Sequence, residues 1–318
     1  MKYYHHTGIT YKIYRPIVVF HAFDRSRSLF DLPEIETITP IGTVCEPLSI
    51  EEMCHNSAKN IIEKAGSKYL YVAWSGGIDS TLVLSELLKQ APKEQIIVAL
   101  NEHSIFEYPE YYKKYIENQL QTVEFNFYTD KHLRNYIKDG VVVTGHLIDP
   151  VFGESGGLYA KMSADRLTQK IEQFLSSCDP ISISQYRAII QGCPRKLENV
   201  KDLFWWLDYA LNYQAEQLMW LLETEEMILD QNLFHFGAGK EWNDYAVSTP
   251  AEIKFAGTDF KNYKMPLKKQ LYKFTKDQDY LDNKIKYPSW RNYRSVTDML
   301  IKKPIYITTD WKRGYVNR

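Results

Sequence analysis

One short segment, SGGIDS, groups residue types that bind phosphate. Its candidate ligand-binding residues are Ser75, Gly76, Gly77, Asp79 and Ser80. Two successive glycines let the backbone turn tightly and bring its N–H groups close to an anion. The serine hydroxyls can donate to phosphate oxygens, and an aspartate here is suited to holding Mg²⁺ beside a phosphate. The segment therefore predicts a site for a magnesium-bound phosphate.

The flanking elements are predicted to position this segment. An uncharged run from Tyr69 to Trp74 has the composition of a buried strand, and the leucines between Leu82 and Leu88 recur at helical spacing. A strand, a glycine turn and a helix together place the helix N-terminus against the anion. The turn lacks the lysine of the common P-loop. The simpler alternative is a tight turn in which Asp79 only caps the helix.

A second group of candidate residues follows a later strand. The run from Val141 to Thr144 ends at Gly145, and Asp149 follows in the next loop. The carboxyl ends of parallel strands lie at one edge of a sheet, so Asp79 and Asp149 are expected on either side of a triphosphate. Together with phosphate oxygens and water they would bind Mg²⁺. An Asp-Pro turn without a metal is the alternative for Asp149.

The remaining pattern predicts an α/β fold with a doubly wound parallel sheet. Further strands are expected at Gln95 to Leu100, Thr122 to Tyr128 and Val141 to Gly145, and helices at Ser49 to Ala65, Tyr108 to Leu120 and Lys131 to Lys138. Such alternation favours right-handed crossovers. Three parts are predicted: a small N-terminal segment with a strand or hairpin (1–66), a ligand-binding core (67–160) and a mainly helical substrate region (161–318). The N-terminal strand or hairpin is expected between Tyr11 and Phe20.

The helical region contains a group of aromatic residues and a group of lysines. Aromatic residues between Val200 and Leu229 are predicted to pack in the core, with lining of a substrate pocket as the alternative. Most of the lysines that follow Gly257 are predicted to lie on a solvated helix face; the lysines are Lys261, Lys264, Lys268, Lys269, Lys273 and Lys276.

Composition narrows the classes of function. The chain has 318 residues and a net charge of -1, which argues against binding nucleic acid through a broad basic surface. Its four cysteines form no CxxC pair, so neither a structural zinc site nor a disulfide framework is expected. The sequence shows no signal peptide and no apolar run of membrane-spanning length, which predicts a cytoplasmic protein without a membrane partner.

The SGGIDS segment resembles the pyrophosphate loop of the N-type ATP pyrophosphatases, which include asparagine synthetase and β-lactam synthetase. This resemblance implies an adenine nucleotide α-hydrolase-like fold, with ATP and Mg²⁺ as cofactors. It also implies cleavage of ATP between the α- and β-phosphates. The later stretch resembles the second motif of asparagine synthetase, and its matching residues are Thr144, Gly145, Asp149, Phe152 and Gly153.

The resemblance also implies roles for individual residues. The residues that would contact the nucleoside are Ala73, Val98, Thr144 and Gly145, of which the first two would frame the adenine. Asp149 would join Asp79 as a magnesium ligand. Lys284, or its neighbour Lys286, would stabilise negative charge on the leaving pyrophosphate.

The chain departs from this family pattern at several positions. His146 stands at a glutamate position, and Pro150 replaces the next glutamate. His146 is a candidate base for an attacking amine, with a structural role as the alternative. Lys2 stands where glutamine-dependent synthetases carry a catalytic cysteine, so residues 1–66 are interpreted as a glutaminase remnant or a partner surface. We therefore expect free ammonia, ammonia from a separate subunit, or an amine on the substrate.

Three functions are compatible with these residues. The first is an amide-forming ligase that adenylates a small-molecule carboxylate, releases pyrophosphate and transfers the acyl group to ammonia or an amine. The second is activation of a nucleobase or carbonyl oxygen in nucleoside or tRNA modification. The third is a catalytically inactive nucleotide-binding partner, which the replacements at His146 and Pro150 favour. The oligomeric state is left open.

Overall fold

The computed structural model describes eleven stretches of the chain: 24–28, 39–125, 136, 138–153, 164–178, 180–211, 213–219, 231–254, 264–284, 305–307 and 313–315. The expected strand or hairpin between Tyr11 and Phe20 lies outside the described residues, as does Lys286. The helix expected at Lys131 to Lys138 lies mostly outside them.

A five-stranded, all-parallel sheet forms the centre of the described structure. Its strands are β1 (Tyr69–Ala73), β2 (Ile96–Leu100), β3 (Gln121–Glu124), β4 (Gly140–Thr144) and β5 (Leu233–His235). They lie in the order β3-β2-β1-β4-β5. The expected α/β class with a parallel sheet is confirmed. A separate antiparallel pair joins β6 (Ile305–Ile307) and β7 (Arg313–Tyr315).

The two strands beside β1 are buried along their whole length. Every residue of β2 and of β4 is buried, and nearly all of them are apolar. Strands covered on both faces have continuous apolar sequences rather than alternating ones, which is why the pattern predicted them. The short β5 was not predicted, because three residues between longer helical segments carry too weak a pattern.

The helices that precede and connect the strands begin and end as follows: α1 (Ile50–Ala65), α2 (Ile78–Gln90), α3 (Glu102–Glu107), α4 (Pro109–Tyr111) and α5 (Ile148–Phe152). The predicted start of α1 is confirmed, since Ser49 and Glu52 form a reciprocal capping box. The helix expected from Tyr108 to Leu120 is shorter than predicted. It begins with α4 and continues directly into a single π-helical turn, Tyr112–Ile116, after which the chain turns.

Helices dominate the second half of the chain. They are α6 (Ala164–Thr168), α7 (Ile171–Leu175), α8 (Pro180–Gln191), α9 (Val200–Leu211), α10 (Tyr213–Met219), α11 (Lys240–Ser248), α12 (Ala251–Lys254), α13 (Met265–Thr275) and α14 (Gln278–Asn283). Trp205, Trp206, Tyr209 and Tyr213 are completely buried, so the core interpretation of these aromatic residues is confirmed. No helix in the described stretches is long and apolar enough to cross a membrane.

One hydrophobic cluster connects these layers. It contains Met53 and Ile61 of α1, Leu70 of β1, Val143 of β4 and Trp205 of α9. Helix α1 therefore packs into the same core as the sheet, although residue 66 was predicted as a boundary between two parts of the chain.

Two of the lysines are not on the solvated face that was predicted for most of them, and Lys261 lies outside the described residues. Lys264 and Lys268 are buried, whereas Lys269, Lys273 and Lys276 are exposed as expected. Lys264 directly precedes α13 in a left-handed backbone conformation with φ of 49°. The Lys264 side chain is directed into the protein. A buried ammonium requires anionic partners.

Candidate active site

Two loops meet at the carboxyl ends of β1 and β4. These strands are neighbours in the sheet, with Val72 opposite Val143, so the segments that follow them lie side by side. The chain order also reverses here, because β2 and β3 extend the sheet to one side of β1 while β4 and β5 extend it to the other. In parallel α/β sheets, such a switch point opens a crevice in which ligands bind.

The close approach of the two loops requires Gly145. A Cβ atom added at this position would lie 2.9 Å from the backbone nitrogen of Ser80 and 3.1 Å from the Cβ of Asp79. A side chain would therefore separate β4 from the first turn of α2. The predicted loop residues and the predicted β4 residues are brought together by this contact.

The SGGIDS turn is stabilised by its own hydroxyl groups. The Ser75 N–H donates to Ser80 Oγ at 3.0 Å, and the two hydroxyl oxygens are also 3.0 Å apart. The Gly77 N–H donates to Ser75 Oγ at 3.3 Å. Gly76 has a φ of 76°, in the left-handed region that favours glycine. Gly77 caps α2 without a side-chain hydrogen bond, so the positive end of the helix faces the turn.

Asp79 and Asp149 are neighbours in space and share one cation. The Nζ atom of Lys264 donates to Asp79 Oδ2 and also to Asp149 Oδ1. The lysine side chain is only 1% exposed, whereas that of Asp149 is 37% exposed, so the ammonium lies on the protein side of the pair. The sequence analysis missed Lys264, and no pattern in the lysine-rich segment distinguishes it from its exposed neighbours.

These residues fit a magnesium ion that arrives with a nucleotide. Two carboxylates and one ammonium give the group a net charge of -1, which suits a bound divalent cation. Each carboxylate has a second oxygen, and Mg²⁺ usually takes its other ligands from phosphate and water. Within the described residues, no group of three or more His, Cys, Asp or Glu side chains is placed to hold a metal.

The residues expected to contact the nucleoside differ in accessibility. Ala73, at the end of β1, and Gly145 are partly exposed and can touch a ligand directly. Val98 and Thr144 are completely buried, so their side chains can act only from beneath the crevice.

Thr144 is held by a histidine that sequence analysis missed. Thr144 Oγ1 lies 2.7 Å from His235 Nδ1, and His235 Nε2 lies 3.0 Å from the backbone oxygen of Gln217. Because a carbonyl oxygen only accepts, Nε2 carries the ring proton and Nδ1 accepts from the threonine hydroxyl. Burial lowers the pKa of His235 to about 3, so this ring is neutral at physiological pH. The only sequence signal for His235 would have been recognition of the short β5.

His146 lies in the loop that follows β4, between Gly145 and Asp149 in the chain. Its backbone N–H donates to Thr144 Oγ1 at 3.3 Å. Burial lowers the pKa of His146 to about 4, and Asp149 only partly offsets this effect. The imidazole is therefore neutral near pH 7. Its low pKa makes it a weaker base than a free histidine.

Lys284 is linked to the turn by an acidic residue, Glu107. Its Nζ atom donates to the carboxylate of Glu107, and the side chains of both residues are largely buried. A Cβ atom added at Gly76 would lie 2.7 Å from Glu107 Cβ, so Glu107 packs directly on the turn. The sequence analysis did not identify Glu107, which ends α3.

A comparison of the sequence with models of known protein families gives no match, and a search of curated proteins also finds no significant match.

Proposed function

We propose that the protein is an ATP-dependent carbon–nitrogen ligase of the N-type ATP pyrophosphatase class, similar to asparagine synthetase. It would adenylate a substrate carboxylate, release pyrophosphate and transfer the acyl group to ammonia or an amine. The parallel sheet would then be doubly wound and adenine nucleotide α-hydrolase-like. One observation supports this proposal most: Asp79 and Asp149, from loops after adjacent strands, bind one ammonium beside the SGGIDS turn.

In the first step, an oxygen of the substrate carboxylate attacks the α-phosphorus of ATP. The bond from this phosphorus to the α–β bridging oxygen breaks, and pyrophosphate leaves into the SGGIDS turn. Backbone N–H groups at the start of α2 and the hydroxyls of Ser75 and Ser80 donate to the phosphate oxygens. Magnesium, when bound by Asp79 and Asp149, supplies positive charge that offsets the charge of the phosphates.

Two lysines place positive charge near the turn. Lys264 binds the two aspartates, and Lys284 binds Glu107, which packs on Gly76. Positive groups fixed before the reaction stabilise charge that develops on the leaving oxygen, because they need no reorganisation. In this proposal Lys264 takes a role that the sequence analysis gave only to Lys284 or Lys286.

In the second step, the nitrogen of ammonia or an amine attacks the acyl carbon. AMP leaves, and the nitrogen loses a proton. His146 is the candidate to receive that proton, although its low pKa favours orienting the amine by a hydrogen bond. Ammonia from a separate subunit and an amine already on the substrate are both compatible with this step.

The test is pyrophosphate release from ATP and Mg²⁺ in the presence of a panel of carboxylic acids. We expect release with one acid or a related group of acids, and formation of AMP in equal amount. Asp79→Ala and Asp149→Ala should abolish release, whereas Asp165→Ala, at an exposed position on α6, should not. Release that is insensitive to both site variants would contradict the proposal.

One observation favours a second candidate, a nucleotide-binding partner protein without catalysis. Lys264 already bridges the two carboxylates that a magnesium ion would need, and His146 is a weak base. Binding of ATP that is independent of Mg²⁺, without pyrophosphate release for any acid, would support this candidate over the ligase.

A further inference from the structure

Tyr280 carries a buried hydroxyl that has no role in the reaction proposed above. The residue lies in α14 and is 6% exposed. Its ring stacks on that of Tyr108, with centroids 4.0 Å apart and an interplanar angle of 19°. The two stacked tyrosines differ in their hydroxyls. Tyr108 donates to Asp277 Oδ2 at 2.9 Å, whereas the Tyr280 hydroxyl has no hydrogen-bond partner among the described residues.

A short chain of contacts links Tyr280 to the SGGIDS turn. Lys284 Nζ lies 5.7 Å from the centre of the Tyr280 ring and binds Glu107, which packs on Gly76. Burial raises the pKa of Tyr280, and the carboxylates of Glu107 and Asp79 raise it further. The hydroxyl therefore stays protonated and can act as a hydrogen-bond donor.

We propose that the Tyr280 hydroxyl donates a hydrogen bond to a β- or γ-phosphate oxygen of ATP, and to the same oxygen in the pyrophosphate product. Buried polar groups in proteins are nearly always hydrogen-bonded, so an unpartnered hydroxyl that lies near residues packed on the SGGIDS turn indicates a ligand atom. The centre of the Tyr280 ring lies 5.7 Å from the Lys284 ammonium, and a donor near a cation selects a partner that only accepts, a property that phosphate oxygens have. The inference rests on the proposed function and adds one binding residue to it.

The two stacked tyrosines offer a matched pair of variants. Tyr280→Phe removes the unpartnered hydroxyl and keeps the ring stack, whereas Tyr108→Phe removes a hydroxyl that is bonded within the protein. The probe is inorganic pyrophosphate with Mg²⁺, its dissociation constant is measured by calorimetry, and the stability of the ligand-free protein is measured by denaturant unfolding.

We expect opposite effects from the two changes. Tyr280→Phe should weaken pyrophosphate binding about tenfold, because hydrogen bonds to charged groups are the stronger ones, and should leave the stability of the free protein unchanged or higher. Tyr108→Phe should lower the stability and leave pyrophosphate binding unchanged.

Three results would overturn the inference. Equal pyrophosphate affinity in Tyr280→Phe and the unaltered protein would show that the hydroxyl contacts no phosphate, while the proposed function would stand. A loss of stability in free Tyr280→Phe would show that the hydroxyl has a structural partner. Failure of the unaltered protein to bind either ATP or pyrophosphate would reject the proposed function together with this inference.

Discussion

At the scale of single residues, Lys264 determines the charge of the candidate site. Its ammonium is buried and donates to two carboxylates that precede it by more than a hundred positions in the chain. Removing one partner of a buried ionic group leaves the charge of the others uncompensated. The resulting loss of stability is larger than the net stability that the intact group provides. Lys264 and a bound cation would also compete for the same two aspartates.

The first prediction concerns Lys264→Met. We expect the free energy of unfolding to fall by roughly 2 kcal/mol. This loss is smaller than the loss on breaking a fully buried ion pair, because the Asp149 side chain is more than a third exposed. Millimolar Mg²⁺ should then stabilise the variant more than it stabilises the unaltered protein. Denaturant unfolding with and without Mg²⁺ measures both effects, and Lys269→Met, at an exposed position in α13, is the control. Equal stabilisation by Mg²⁺ in all three proteins would refute the prediction.

At the scale of elements, the site depends on how closely the end of β4 approaches the start of α2. Gly145 lies in that contact, and no side chain fits between the two backbones. The carboxyl ends of β1 and β4 carry the two loops, and α2 directs its N-terminus at the turn. The separation between these two elements therefore sets the width of the crevice.

The second prediction concerns Gly145→Ala. The added methyl group should push β4 from α2, lower the free energy of unfolding by roughly 1–3 kcal/mol and weaken ATP binding. Gly66→Ala is a suitable comparison, because Gly66 has a φ of 59° at the end of α1 and no neighbouring atom within 4 Å of an added Cβ. It should cost stability through backbone strain, by roughly 1 kcal/mol, without changing ATP affinity. Calorimetric titration with ATP separates the two variants, and unchanged affinity in Gly145→Ala would count against the proposed crevice.

At the scale of the whole molecule, early segments of the chain pack against late ones. The guanidinium of Arg25 lies over the rings of Tyr209 and Tyr213, at 4.3 and 3.9 Å from their centres. The Thr43 N–H donates to Asp244 at 2.8 Å, and the Cys45 N–H donates to Ser248 Oγ at 2.9 Å. The described N-terminal residues are therefore bound to α9, α10 and α11.

The third prediction is a pH dependence of global stability from His235. Its pKa is lowered from 6.5 to about 3, so the native ring stays neutral while the unfolded ring takes up a proton below pH 6.5. The stabilisation that comes from the neutral His235 ring is fully present above pH 6.5 and is lost as the pH falls towards 3. Lowering the pH from 7 to 5.5 should therefore lower the free energy of unfolding by roughly 1 kcal/mol.

The comparison for this prediction is His235→Asn. An asparagine oxygen can accept from the Thr144 hydroxyl as His235 Nδ1 does, but the amide does not titrate. Denaturant unfolding at the two pH values should therefore show a smaller loss of stability in the variant. If both proteins lost the same amount, His235 would not be a source of the acid sensitivity.

The sequence by itself determined the features that depend on local interactions. The strand, glycine turn and helix around SGGIDS, the capping box of Ser49 and the buried apolar strands all follow from the properties of consecutive residues. The convergence of Asp79 and Asp149 was also predicted, because parallel strands bring their carboxyl ends to one edge. The roles of ATP, Mg²⁺ and the lysine at position 284 remain predictions.

Only the tertiary structure decided which polar side chains are buried together. Lys264 lies 185 positions from Asp79 in the chain, and Lys284 lies 177 positions from Glu107. His235 reaches Thr144 only because the unpredicted β5 pairs with β4. A lysine or histidine has the same local pattern whether it faces water or a carboxylate. Its charge, pKa and role depend on the groups that the fold packs around it.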